Sequence, residues 1–191
     1  MDKTDQQLVT EHLDGDEKAF HGILKRYLKP IYAFIYRLTD NQDMSEDIAQ
    51  DTFIKVWKNL DKYDTKYSFK TWLYTIAHNT TLDWLKKKKA IVFSSFEDSE
   101  GENYFTTSLA DNTLLPDELF LQEENKKLLT ESLDKLPLLY KEILTLHYQQ
   151  ELSFIEIAHI VNKPLETIRS QHRRGLILLR KILTDTNAPK N

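Results

Sequence analysis

Between Phe20 and Leu38 the large apolar side chains fall at 20, 23, 24, 27, 31, 34, 35 and 38. Steps of three, four and one keep all eight on one face of an α-helix, and no strand of alternating faces reproduces them. Pro30 falls inside the run, where a proline can kink a helix. The same period returns twice. A second helix is predicted from about Ser45 to Leu60, carrying Ile48, Phe53, Val56, Trp57 and Leu60 inward, with Ser45 as its N-cap. A third carries Phe69, Trp72, Leu73, Ile76, Ala77, Thr80 and Trp84. Three such faces can bury one another as one helical domain. With only four glycines and five prolines in 191 residues, the chain reads as all-α.

Periodicity stops between Ala90 and Pro116, where Ser, Thr, Asn, Asp and Glu dominate. It resumes at about Asp117, through Leu128, Leu129, Leu133 and Leu136 and then Ile143, Leu144 and Leu146. The expected organisation is therefore two small helical domains and a flexible acidic linker. Charge follows the same division. Residues 1–90 carry 15 Lys/Arg against 14 Asp/Glu, 91–124 carry none against 9, and 125–191 carry 11 against 7. The net charge of −4 thus originates in the middle of the chain. There is no cysteine, which excludes disulfides, thiolate metal sites and cysteine nucleophiles. No apolar run approaches the length of a membrane span and the first residues are polar, so no membrane insertion and a cytoplasmic location are expected.

Leu152 to Leu179 reads LSFIEIAHIVNKPLETIRSQHRRGLILL. Ser153 and Glu156 have capping-box spacing, Ile157, Ala158 and Val161 face inward, and Asn162-Lys163-Pro164 ends the short helix. Asn162 can take the left-handed turn conformation, and Ile168 returns to the shared core. This is the spacing of a helix-turn-helix. Its second helix offers Thr167, Arg169, Ser170, Gln171, Arg173 and Arg174 to base edges and phosphates. An ordinary helical hairpin with a solvated basic face fits the same residues. Against it stands the imbalance of 164–181, where five cations meet only Glu166.

Phe69 to Lys89, FKTWLYTIAHNTTLDWLKKKK, interleaves aromatics with Asn and Thr and ends in four lysines. Aromatic faces can stack on unpaired bases, amides can read their edges and lysines can hold the backbone. The competing reading places Trp72 and Tyr74 in the core and makes the lysines cations at a helix C-terminus.

Taken together, DGDEKAF (14–20), SEDIAQDTFIKVW (45–57), FKTWLYTIAHNTTLDWL (69–85), LDKLPLLYKEILTLHY (133–148) and LSFIEIAHIV (152–161) occur in the order and spacing of one family. The chain resembles the extracytoplasmic-function (ECF) sigma factors of bacterial RNA polymerase. The resemblance implies sigma domain two at 1–90, an acidic linker at 91–116, sigma domain four at 117–185 and a tail at 186–191. It implies that Asp47, Gln50, Asp51 and Lys55 contact the clamp of core RNA polymerase. Trp72, Asn79, Asp83, Lys86 and Lys87 would serve recognition and melting of the minus-ten element, with capture of the single-stranded non-template strand. Lys163, Thr167, Arg169, Ser170, Gln171, Arg173 and Arg174 would read the minus-thirty-five duplex. It further implies control by an anti-sigma factor in a stress or envelope response. The linker's charge would mimic RNA in a basic channel or merely keep a tether soluble. Two positions depart from the pattern: Asn162 stands where glycine is usual, and His172 where an aliphatic residue is usual.

An enzyme is not expected. The six histidines show no metal-ligand spacing, and no phosphate loop, nucleophile elbow or cofactor signature is present. The alternative is a polymerase-independent helix-turn-helix repressor or activator, which leaves the aromatic, amide and lysine pattern of 69–89 without a role.

Overall fold

The structure is a computed structural model that describes residues 3–93 and 123–187. Eight α-helices are present among these residues and no strand: α1 (Asp5–Leu13), α2 (Glu17–Thr39), α3 (Gln42–Lys58), α4 (Phe69–Phe93), α5 (Glu123–Asp134), α6 (Leu138–Leu144), α7 (Phe154–Ile160) and α8 (Leu165–Asn187). The linker predicted at 91–116 falls largely outside the described residues, as does the tail from residue 188.

In the first half, α2, α3 and α4 bury the stripes expected of them. Ile23, Ile31, Phe34 and Ile35 of α2 meet Ile48 and Val56 of α3 and Leu73, Tyr74 and Ala77 of α4, all fully or almost fully buried. Each such aliphatic side chain contributes roughly 2 kcal/mol of burial. α2 runs unbroken through Pro30. Helix α1, capped by a Thr4–Gln7 capping box, lays Leu8 and Val9 on this core. It is tied down by Asp5, which accepts hydrogen bonds from Arg26 and from the Tyr27 hydroxyl.

Two expectations for α3 are corrected. The helix starts a turn earlier than predicted because Asn41 is its cap, accepting from the Met44 N–H at 2.8 Å, while the Ser45 hydroxyl turns back to the Asn41 carbonyl at 2.6 Å. Trp57, expected inside, is 55% exposed. The buried stripe is centred on Ser45, Ile48, Ala49, Thr52, Phe53 and Val56, and Trp57 lies on its solvent edge.

In the second half, Leu129, Leu133, Leu136, Leu144 and Leu179 form one cluster under α8. Ile143, Leu146, Ile157, Ile160 and Ile168 join the core that extends from the first half. Gly175 permits close contact of α8 with α6, since a Cβ there would stand 3.1 Å from that of Tyr140. Between α6 and α7 the helix widens into a π-turn at Thr145–Gln149, and Glu151 follows in the left-handed region at φ 51°.

Candidate nucleic-acid interface

The helix-turn-helix forms as the sequence prescribes. Ser153 Oγ accepts from the Glu156 N–H and the Glu156 carboxylate accepts from the Ser153 N–H, closing the capping box of α7. Asn162 takes φ 50°, the left-handed value that the turn needs, and Ile168 is fully buried behind it. These constraints set the rotation of α8. Arg169, Ser170, Arg173 and Arg174 are exposed on one face, with Thr167 and Lys163 half-exposed at its margin. Arg169 is paired with Glu166 at 2.6 Å. Gln171 lies off this face: it is half-buried, and its Oε1 is buried without a partner in the structure.

His172 is on the inner side of the same helix. Its ring packs among His147, Tyr148 and Phe154 with centroids 4.8–5.6 Å away, and its Nε2 lies 3.3 Å from the Tyr148 hydroxyl. Burial, reinforced by His147, pushes its pKa down to about 4, so the imidazole is neutral near pH 7.

On α4, Asn79, Asp83, Lys86 and Lys87 are all exposed, and their spacing of four, three and one places them on one face. Trp72 is half-buried in an aromatic cluster, its ring 5.4 Å from Tyr63 and 5.7 Å from Phe69. Tyr74, which sequence left open between core and stacking platform, is buried, edge-on to Phe34 at 5.3 Å.

The four residues expected to meet polymerase divide into two pairs. Asp47 and Gln50 are exposed on the outer face of α3. Asp51 and Lys55 turn toward α4: Trp84 Nε1 donates to Asp51 at 2.9 Å, and Lys55 Nζ donates to Thr80 Oγ1 at 3.1 Å. Sequence reasoning missed Ile54, 49% exposed, which together with Trp57 gives the Asp47–Gln50 face an apolar centre. The signal was available, because 47, 50, 54 and 57 follow helical spacing. No cluster of His, Asp and Glu among the described residues could hold a metal ion, and no described helix is long and apolar enough to cross a membrane.

Two helical units, one ending in a helix-turn-helix and the other built around a long aromatic and amide-bearing helix, define a sigma-type architecture. Residues 23–91 match the family model for Sigma-70 region 2, and residues 126–179 match that for Sigma-70 region 4. The chain is 38% identical over 173 residues to the ECF RNA polymerase sigma factor SigW of Bacillus subtilis (strain 168), covering 90% of this chain and 92% of that one. It is 33% identical over 169 residues to the ECF RNA polymerase sigma-E factor of Escherichia coli (strain K12), covering 88% of each. The fold is similar to that of the sigma factor RpoE solved in complex with the anti-sigma factor NepR from Bartonella quintana, with a TM-score of 0.66 and 25% identity over 87% of this chain and 98% of that one. The chain belongs to the ECF branch of the sigma-70 family.

Proposed function

We propose that this protein binds core RNA polymerase in the cytoplasm and directs it to a specific set of promoters, under the control of an anti-sigma factor in a stress or envelope response. The observation that carries this reading is the presence of regions 2 and 4 in one chain, matched nearly end to end by ECF sigma factors. In this reading residues 1–90 act as domain two, 117–185 as domain four, and 91–116 as the tether between them.

The division of labour follows from side-chain chemistry. The Asp47, Gln50, Ile54 and Trp57 face combines an apolar anchor with polar edges, the composition of a protein-binding surface, and is assigned to polymerase. Asn79 and Asp83 supply hydrogen-bonding groups for unpaired minus-ten bases, and Lys86 and Lys87 supply charge for the strand's phosphates. Arg169, Ser170, Arg173 and Arg174 face the duplex at the minus-thirty-five element, with Thr167 and Lys163 at the edges. Asp51, Lys55 and Trp72 support these surfaces by fixing α3 and α4 against each other and by packing the start of α4. Control by an anti-sigma partner is supported by the similarity to RpoE, which was solved with one bound.

The deciding experiment is run-off transcription with core polymerase on genomic DNA of the same organism. Promoter-dependent transcripts that require this chain are expected. If none form while the chain still binds duplex DNA, it is a polymerase-independent regulator instead.

A further inference from the structure

Helix α1 lies before residues 23–91, the part of the chain that matches Sigma-70 region 2. Its apolar residues cover the core: Leu8 and Val9 are buried, and a Cβ at Gly22 of α2 would stand 3.0 Å from the Leu8 side chain. Its first turn makes a different kind of contact. The Thr4–Gln7 capping box fixes the turn that carries Asp5, and one Asp5 oxygen accepts from Arg26 while the other accepts from the Tyr27 hydroxyl at 2.5 Å. Arg26 also donates to the Lys3 carbonyl at 2.6 Å. Tyr27 is buried, so loss of Asp5 would leave its hydroxyl without this acceptor. Burial, and then the hydrogen bond to Asp5, pushes the Tyr27 pKa up, and the hydroxyl remains a donor.

From Tyr27 the contact continues through rings. Tyr27 meets Phe69 edge-on at 5.8 Å, Phe69 meets Tyr63 edge-on at 5.5 Å, and Trp72 lies 5.4 Å from Tyr63 and 5.7 Å from Phe69. The Tyr63 hydroxyl donates to the Tyr67 carbonyl at 2.9 Å, and α1 also packs on the 3₁₀ turn Leu60–Lys62 just before it. The loop from Tyr63 to Ser68 has no aliphatic side chain, and Asp64, Thr65, Lys66 and Ser68 are exposed. On one side it joins the seam with the second unit, where Tyr67 stacks on His159 and where Thr71, Tyr74 and His78 are hydrogen-bonded to Glu156, Gln150 and Glu142. Helix α1 reaches the same stretch through the core.

We propose that α1 is a positioning element for the start of α4: Asp5, acting through Tyr27 and Phe69, fixes the aromatic cluster around Trp72 and the loop Tyr63–Ser68, so that strand separation depends on α1 while duplex reading by α8 does not. The inference deepens the sigma reading above and rests on it. Two arguments carry it. A surface that takes bases out of the stack must be held rigidly, and Trp72 is packed among rings whose contacts are directional, so a displaced Tyr27 displaces Phe69 and its neighbours. The polar tie is also placed for this role. Asp5 is close enough to Tyr63 that its charge, after burial, helps push the Tyr63 pKa up.

The chain has no native cysteine, so Thr65→Cys in the loop and, as a control, Thr184→Cys in α8 each take one nitroxide label in the full chain. Asp5→Ala is expected to raise nitroxide mobility at 65 and leave it unchanged at 184, with the same helix content by circular dichroism. With core polymerase, the rate of open-complex formation, read by permanganate reactivity of unpaired thymines, should fall about tenfold, the scale expected when a buried hydroxyl loses its acceptor. Binding to a duplex carrying only the minus-thirty-five element should not change. Asp5→Asn, whose side-chain carbonyl can still accept from Tyr27, should restore most of the rate. Leu8→Ala is the structural comparison: it removes core burial from the same helix and lowers stability, yet should leave the label at 65 and the open-complex rate as in the unaltered chain. An unmoved label in Asp5→Ala, an unaltered open-complex rate, or equal effects from Leu8→Ala would overturn the positioning role. Run-off transcription by the unaltered chain tests the sigma reading separately. Absence of any promoter-dependent transcript sinks that reading, whereas normal run-off with an unmoved label sinks only the role of α1.

Discussion

The two helices proposed to read promoter DNA, α4 and α8, carry similar tools in opposite settings. α4 is wedged between α2, α3 and α7, so many of its polar side chains have protein partners, and among its described side chains Asn79, Asp83, Lys86 and Lys87 are the exposed ones. α8 rests on α5, α6 and α7 and exposes Arg169, Arg173 and Arg174 along its other side. A helix that separates strands must hold aromatic and amide groups rigidly while bases are taken out of the stack. A helix that lies along intact duplex needs a correctly rotated face and positive charge. On the proposed reading, the first role depends on packing and the second mainly on electrostatics.

The largest expected effect tests how far the rotation of α8 depends on the buried residue just behind the turn. Ile168→Ala removes a fully buried side chain behind the turn and should cost about 2–4 kcal/mol in the unit containing it. Duplex binding should fall accordingly, and chemical denaturation should show this unit unfolding before the one built around α4. A comparable loss of stability in both units would mean that they fold as one.

A second test uses acid. The His172 pKa is depressed, so the folded state prefers the neutral ring, and the stability it confers is present above about pH 6.5 and is lost as pH falls toward 4. The full shift corresponds to about 3 kcal/mol, reduced to about 1–2 kcal/mol because the ring is only partly shielded from solvent. Thermal melts of the α8 unit should therefore drop between pH 6.5 and 4, and His172→Leu should flatten that dependence.

Smaller effects separate the two modes of reading. Asn79→Ala should change which minus-ten sequences support open-complex formation, at about 1–2 kcal/mol of discrimination, with little change in salt dependence. Arg174→Ala should weaken duplex binding by about 1 kcal/mol on all sequences and lower the slope of log K against log salt by about one. Competition binding at two salt concentrations distinguishes the patterns. If Asn79→Ala instead shifts the salt slope, α4 grips phosphate at that position rather than base.

The α2 stripe, the α7 capping box and the left-handed Asn162 could be read from the chain because each is a local rule of spacing or backbone geometry. Trp57 misled because 53 and 57 are one helical turn apart and periodicity alone does not locate the edge of a buried stripe. Asp51 and Lys55 share α3 with Asp47 and Gln50, and only the position of α4 shows that their polar ends are engaged by Trp84 and Thr80. Gln171 fits a polar reading helix by composition, yet its amide turns toward the protein body. The seam between the units was invisible for a different reason. Its hydrogen-bonded part is made of Thr, Tyr, His, Glu and Gln, which look like a solvated face until their partners are placed, and the aliphatic residues of the second unit that join the first unit's core read from periodicity only as the core of their own helices.

The π-turn at Thr145–Gln149 accommodates one residue more than an α-helical turn would, and each residue in a helix advances the chain by about 100°. Gln150, whose amide and carbonyl meet Tyr74 and Lys70, comes immediately after that extra residue. Deleting one residue from the turn would restore an ordinary helix and swing Gln150 roughly a quarter-turn away from both partners. A one-residue gap at this point in a related chain would therefore mark a protein whose two units meet differently or not at all, even where every helix on either side aligns.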